Sequence, residues 1–136
     1  MSGPAVQVGH ALPELVFPVT RATLVRYAGA SGDFNPIHFS EHAAQTLGLQ
    51  GVIAHGMLTM GVALRVATDW AGPAARLVSY GVRFTKPEVV PDDEPGVELR
   101  VTGVVSALDG DQITVTLDVT CGGEKVLGAA KVVLTQ

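Results

Sequence analysis

The segment from Tyr27 to His38 contains the residues whose types and spacing best suit chemistry. Asp33 and His38 place a carboxyl group and an imidazole five residues apart. An imidazole has an ordinary pKa of about 6.5 and exchanges protons near neutral pH, while a neighbouring carboxyl group can bind or transfer a second proton. The pair therefore predicts general acid–base catalysis on a small molecule.

The residues between this pair predict a stiff loop. Gly32 permits a tight bend before Asp33, and Pro36 fixes one backbone dihedral angle. Pro36 also biases Asn35 towards an extended conformation, in which its side chain can bond neighbouring backbone groups. We therefore expect a rigid, non-helical loop that Asn35 orients. In the alternative, Asn35 contacts the substrate. In the alternative interpretation, Asp33 only caps a turn and His38 packs at the surface.

Size and composition predict one domain over residues 1–136. The chain is 47% hydrophobic, which is enough for a sizeable core. Its formal net charge is -4, and its Lys and Arg residues are scattered, which argues against a nucleic-acid surface. The stretch from Met1 to Val6 has no positive leader with an apolar run, and no apolar run approaches the roughly 20 residues that cross a bilayer. These features indicate a cytoplasmic protein without a membrane or nucleic-acid partner.

Three helices are predicted in the first half of the chain. After a short strand from Leu15 to Val19, Thr20 caps a helix that runs to about Ala30, and Ser40 starts a second helix over residues 41–47. A third helix begins at His55 or Gly56 and ends near Trp70. Its almost continuous apolar sequence predicts burial on nearly all sides.

Strands dominate the second half. They are predicted over residues 77–85, 96–108, 112–121 and 125–134, with hairpin turns at residues 109–111 and 122–123. The proline-rich, acidic stretch from Pro87 to Gly96 is expected to be a solvated connection, and the lone Cys121 a small buried hydrophobe. A long apolar helix followed by antiparallel strands predicts an α+β domain in which a curved antiparallel sheet wraps around the helix.

Two motifs in the first half resemble the MaoC-like hydratase/dehydratase family of the hot-dog fold. The first is Ser31-Gly32-Asp33-x-Asn35-Pro36-Ile37-His38, preceded by Tyr27 and followed after five residues by Ala44, and the second is Ala54-His55-Gly56-Met57. The stretches 53–61 and 82–85 are more specifically similar to the catalytic beta subunit of actinobacterial type II (3R)-hydroxyacyl-ACP dehydratases. Single-domain enoyl-CoA hydratases share the first motif.

This resemblance implies a fold, a reaction and a partner. The family places two hot-dog domains side by side, with an acyl thioester in a tunnel at their junction. It adds water reversibly to trans-2-enoyl thioesters to give (3R)-3-hydroxyacyl thioesters, and it needs no metal or organic cofactor. The implied substrate is acyl-CoA or acyl-ACP. The implied partner is a second copy or a related hot-dog subunit that lacks the motif.

The reaction needs a base, an acid and a group that stabilises the enolate oxygen. We assign His38 as the base at carbon and Asp33 as the group that protonates the departing hydroxyl, although the opposite division is possible. Gly56 lies at a helix start, where a free N–H could hold the thioester oxygen, and tight packing is the alternative reason for a glycine there.

Other polar residues of the second motif are weaker candidates for substrate binding. His55 is either a ligand contact or a satisfied structural histidine. Some relatives place a serine near the reacting carbonyl, where this chain has Leu64, and Thr59 and Thr68 are the available hydroxyls.

Two other functions remain open. The same fold supports acyl thioesterases, which would release free thiol, and it also supports non-catalytic acyl-binding subunits that shape a partner's tunnel. The Asp33 and His38 pair favours the hydratase/dehydratase over both.

Overall fold

The computed structural model describes residues 5–136, and the elements of this part follow the predicted order. They are β1 (Leu15–Val19), α1 (Arg21–Ser31), α2 (Glu41–Thr46), α3 (Gly56–Ala71), β2 (Arg76–Phe84), β3 (Val97–Asp109), β4 (Gln112–Cys121) and β5 (Glu124–Thr135). Residues 1–4 lie outside the described residues. They are part of the predicted domain and of the N-terminal stretch in which a leader was sought. Among the helices described, none is long and apolar enough to cross a bilayer.

The five strands form one antiparallel sheet in the order β1-β3-β4-β5-β2. Two-residue loops connect β3 to β4 and β4 to β5, as the turn residues predicted. Gly110, Gly122 and Gly123 adopt positive φ values there, a conformation that glycine reaches without steric cost. Strand β2 pairs with β5 and ends the sheet on one side, while the short β1 ends it on the other.

Helix α3 contacts all five strands, so the sheet wraps around it as predicted. Side chains of β3 alternate between buried and exposed positions along its first half, which directs one set towards the helix. At Gly103 a Cβ atom would lie 3.1–3.2 Å from the side chains of Val66, Leu117 and Val115. The missing side chain therefore allows α3 to approach β3 closely.

The prediction that α3 is buried on nearly all sides is wrong for the single chain. The sheet covers one face, which includes Thr59, Val62 and Val66. The opposite face forms an exposed stripe, and Met57 within it is 61% exposed. We call this surface the open stripe of α3; its residues are Met57, Gly61, Arg65, Thr68 and Asp69.

The expectation of a solvated connection from Pro87 to Gly96 holds only for its second half. Glu88 and Val90 are buried, and backbone hydrogen bonds join this segment to residues 52–54. The Ala54 N–H donates to the Glu88 carbonyl at 2.9 Å, and the Val90 N–H donates to the Val52 carbonyl at 2.9 Å. This pairing places the first half of the connection beside residues 52–54, which precede the start of α3.

Candidate active site

The first motif forms a loop that side chains and backbone lock together. Helix α1 ends at Gly32, which adopts a left-handed conformation with φ 77°. The Asn35 N–H then donates to Asp33 Oδ1, and the Ile37 N–H donates to Asn35 Oδ1, each at 3.2 Å. The loop is thus oriented by Asn35, but it is not wholly non-helical, because Pro36–His38 form one turn of 3-10 helix. Proline suits the start of such a turn because its φ is preset.

His38 is buried, and its hydrogen bond identifies which ring nitrogen is free. Its Nδ1 lies 2.8 Å from the Ile53 carbonyl oxygen. Because a carbonyl only accepts, Nδ1 must carry a proton, and Nε2 of the neutral ring keeps a lone pair. That nitrogen faces Asp33 Oδ2 at 3.8 Å, and the Asp33 side chain is half-exposed. The separation is too long for a hydrogen bond, so an oxygen atom of a ligand could contact both groups.

His55 packs against His38 and holds the loop. The two rings are stacked with centroids 3.7 Å apart, and Tyr27 meets His55 edge-on at 4.7 Å. The His55 Nε2–H donates to the Asp33 carbonyl at 3.1 Å. Burial lowers the pKa of His55, and the hydrogen bond to Asp33 opposes that effect. A neutral His55 therefore supports both catalytic candidates, and its buried Nδ1 has no hydrogen-bond partner among residues 5–136.

Asp33, His38 and His55 also form the one cluster in the described residues whose ligand atoms, all within 4.8 Å of one another, are spaced closely enough for a metal ion. The two imidazole rings are stacked with centroids 3.7 Å apart and planes only 20° apart, so lone pairs that lie in the two ring planes do not converge on one ion. Backbone carbonyls also engage one nitrogen of each ring. This arrangement suits proton transfer better than shared coordination of an ion.

Gly56 begins α3 beside this loop. His55 occupies the N-cap position and makes no side-chain cap hydrogen bond. The Leu58 N–H donates to the His55 carbonyl at 3.1 Å, so the N–H groups of Gly56 and Met57 are the ones that remain available at the positive end of the helix dipole. A Cβ atom at Gly56 would lie 2.8 Å from the Phe84 ring. The structure thus supports tight packing at Gly56 and leaves its N–H open to a ligand.

A cavity of about 270 Å³ lies next to Gly56, and a carboxyl group lines it. Its walls are mostly apolar, and the polar residues among them are Thr59, Thr85, Lys86 and Glu88. The Thr59 hydroxyl donates to Glu88 Oε2 at 2.8 Å, while Oε1 has no hydrogen-bond partner in the described part of the chain. Sequence analysis missed Glu88, which it placed in solvent. The only local signal is that Glu88 lies between Pro87 and two valines.

The buried position of Glu88 changes its acidity. Burial raises the pKa of the Glu88 carboxyl, and the hydrogen bond from Thr59 and the neighbouring Cys121 thiol oppose this rise. Burial, together with the Glu88 charge, raises the pKa of Cys121 to about 12. Cys121 is partly exposed and lies beside this carboxyl, so the prediction of a plain buried hydrophobe is wrong in part.

The acidity of Glu88 predicts a pH dependence of stability. Because its pKa is higher in the folded than in the unfolded chain, the folded state binds more protons between the two values. The free energy of unfolding of the native protein, relative to that of Glu88→Gln, should therefore fall as pH rises above about 4.5. Urea denaturation of both proteins from pH 5 to 8 measures this difference. His55 acts in the opposite direction, but it is present in both proteins and cancels. A constant difference would contradict the prediction.

Comparison with known proteins places this site in a family. The family model described as MaoC like domain matches residues 8–122. The chain is 32% identical over 108 residues to the 3-oxo-4,17-pregnadiene-20-carboxyl-CoA hydratase beta subunit of Mycobacterium tuberculosis, covering 79% of this chain and 80% of that protein. It is 43% identical over 79 residues to 3-hydroxyacyl-thioester dehydratase X of the same organism, covering 58% of this chain. That second match spans only 27% of the longer relative.

A solved structure agrees with the fold over nearly its whole length. One chain of the ChsH1-ChsH2 complex from Mycobacterium tuberculosis superposes with a TM-score of 0.86 and 27% sequence identity, covering 97% of this chain and 99% of that one. The family match extends over most of the protein and includes the Asp33–His38 loop, the start of α3 and Glu88. The chain therefore belongs to the MaoC-like dehydratase family of hot-dog proteins.

Proposed function

We propose that the protein catalyses the reversible dehydration of (3R)-3-hydroxyacyl thioesters to trans-2-enoyl thioesters in fatty acid metabolism. One observation carries this proposal. The free Nε2 of His38 and the carboxyl group of Asp33 face each other at 3.8 Å beside the uncapped start of α3. This arrangement brings together a base, an acid and an oxyanion donor, which are the three groups that the reaction needs.

In the dehydration direction, His38 Nε2 takes the proton from the carbon next to the thioester carbonyl. The electron pair of that C–H bond forms the new double bond, and the hydroxyl leaves the next carbon as water, with the proton that the neutral carboxyl group of Asp33 donates. His38 is then protonated and Asp33 ionised. A water molecule that contacts both groups can return the proton from His38 to Asp33. The reverse sequence hydrates the enoyl thioester.

The remaining candidates support these two residues. We propose that the Gly56 N–H holds the thioester oxygen while negative charge develops on it. Asn35 and His55 orient the loop through the hydrogen bonds described above. Thr59 lines the cavity next to Gly56, and its hydroxyl already donates to Glu88. No cofactor takes part in this proposal.

We also propose that a second hot-dog domain completes the site. Strand β2 is nine residues long and exposed along one edge of the sheet, with Leu77 and Val78 about half-exposed. Long apolar edge strands tend to pair with another chain, whereas the other edge strand, β1, is short and contains Pro18. The open stripe of α3 offers further surface. The partner is a second copy or a related subunit, as in the ChsH1-ChsH2 complex.

A paired assay tests the reaction. Purified protein is mixed with crotonyl-CoA or a longer enoyl-CoA, and the absorbance of the conjugated double bond is followed while a thiol reagent reports free CoA. We expect loss of the double bond without thiol release. Thiol release would instead identify a thioesterase. Silence in both channels, with the protein alone and with acyl-ACP substrates, would favour a non-catalytic subunit.

A further inference from the structure

Helix α3 starts without the side-chain cap that α1 and α2 have. The hydroxyl oxygens of Thr20 and Ser40 each accept the N–H of the third residue of the following helix. At α3 the side chain of the N-cap residue His55 makes no such bond and donates to the neighbouring loop instead. The N–H groups of Leu58 and Thr59 share the His55 carbonyl, at 3.1 and 3.3 Å. The backbone alone therefore holds the first turn of α3 weakly.

Glu88 fastens this turn from outside the helix. Its Oε2 accepts the Thr59 hydroxyl at 2.8 Å, and its backbone carbonyl accepts the Ala54 N–H at 2.9 Å. Residues 54 and 59 lie on either side of Gly56, so Glu88 holds the chain both before and after this glycine. The side-chain bond is buried, which protects it from competition by water. Neither bond uses the Gly56 N–H.

Stability alone does not explain a carboxyl group at this position. The Glu88 Oε1 is buried without a hydrogen-bond partner among residues 5–136, and the Cys121 thiol is the other polar group beside the carboxyl. An apolar side chain would avoid the penalty of burying this group. Thr59 does not depend on it either, because a helical threonine can bond the carbonyl four residues earlier, as Thr68 bonds Leu64. The carboxyl group therefore serves another purpose than stability.

We propose that Glu88 is a positioning residue that fixes the first turn of α3 through Thr59 and so aims the Gly56 N–H at the thioester oxygen. This proposal rests on the proposed function, because it takes that N–H as the oxyanion donor. A hydrogen bond to a developing oxyanion depends on distance and direction, so a donor on a loosely held turn stabilises the transition state less. Glu88 acts through the helix and exchanges no proton with the substrate.

Hydrogen exchange of single amides tests the positioning without turnover. The amides of Leu58 and Thr59 report on the first turn of α3, and that of Val101 in the central strand β3 reports on global unfolding. In Glu88→Met, exchange of the first two amides relative to Val101 should be at least about fivefold faster than in the native protein. Glu88→Gln should keep the native ratio, because its amide oxygen can still accept the Thr59 hydroxyl. An unchanged ratio in Glu88→Met would overturn the proposal whatever the protein catalyses.

A kinetic cycle identifies the group through which Glu88 acts. In a Phe84→Ala/Gly56→Ala protein, which keeps the N–H of residue 56, Glu88→Met is expected to lower kcat for crotonyl-CoA hydration at least about tenfold and to change KM much less. In a Phe84→Ala/Gly56→Pro protein, which lacks this N–H, the same change should lower kcat less than about twofold. Equal losses in the two backgrounds would overturn the proposal, since a general effect on folding or on His38 does not depend on this donor.

Further variants separate the bond from the carboxyl group alone. Thr59→Val removes the donor of the same bond, so it should lower kcat as much as Glu88→Met, and the double variant Thr59→Val/Glu88→Met should lose no more than either. Additive losses would overturn the proposal. The double variant also replaces Glu88→Met if that protein folds poorly, because it leaves neither polar group unpaired.

A matched control and a test of the premise complete the experiment. Glu98 is an exposed glutamate on β3, so Glu98→Met should leave kcat and the exchange ratio unchanged. Absence of enoyl-CoA hydration by the native protein would count against the proposed function. The exchange ratio would then still decide whether Glu88 fixes the first turn of α3.

Discussion

Replacing Asp33 by Asn, or His38 by Gln, is expected to lower kcat for enoyl-CoA hydration by about 10²- to 10⁴-fold. Each change removes a group that exchanges protons and preserves the local contacts. The Asn side chain can still accept the N–H of Asn35, and the Gln amide can still donate to the Ile53 carbonyl. The loop should therefore keep its conformation while the chemistry is lost. Steady-state rates with crotonyl-CoA measure the effect.

Matched substitutions elsewhere provide the controls. His42 and Asp111 are exposed residues outside the site, so His42→Gln and Asp111→Asn should leave kcat nearly unchanged. Equal melting temperatures for all four variants would show that the losses are not due to unfolding. A decrease of less than about tenfold for both Asp33→Asn and His38→Gln would remove the acid–base assignment.

The loop from Gly32 to His38 was predictable because its determinants are local. Gly32, Asn35 and Pro36 act on backbone groups within a few residues, so their types and order predict the turn that holds Asp33 and His38. The caps Thr20 and Ser40 likewise bond N–H groups three residues ahead, and both helix starts are confirmed. Short-range turn and capping chemistry can be read from adjacent residues without knowledge of the fold.

The contacts that complete the site are long-range, and sequence analysis missed them. Thr59 and Glu88 are 29 residues apart, and proline and acidic neighbours made the Glu88 segment look solvated. The Ile53 carbonyl that selects the His38 tautomer leaves no signal in the sequence, because every residue carries the same backbone carbonyl group. Such pairings depend on where the sheet brings two segments together.

The apolar character of α3 shows a different limit. Periodicity reports that a face is apolar, and it does not report whether the same chain or another chain covers that face. Met57 in the open stripe is exposed here, as are Leu77 and Val78 on strand β2. The prediction that α3 is buried on nearly all sides is wrong for one chain. A second hot-dog domain on this surface would bury more of the helix.

Replacing Gly56 by Pro is expected to lower kcat by about 10²- to 10³-fold relative to Ala, once the Phe84 ring is removed from contact. The backbone already suits proline. Gly56 is the first residue of α3, where proline is favoured, and the preceding His55 has φ −62° and ψ 130°, which lies in the region that a following proline requires. The substitution therefore removes one N–H group with little change of the chain path.

Steric contact must be separated from the loss of this donor, because any Cβ atom at Gly56 meets the Phe84 ring at 2.8 Å. In a Phe84→Ala background, Gly56→Ala and Gly56→Pro both add a Cβ atom, and only the second lacks the N–H. If this N–H stabilises the developing oxyanion, kcat should differ greatly between the two double variants and KM much less, since the interaction strengthens in the transition state. Values of kcat within about threefold of each other would show that glycine is needed there only for packing against Phe84.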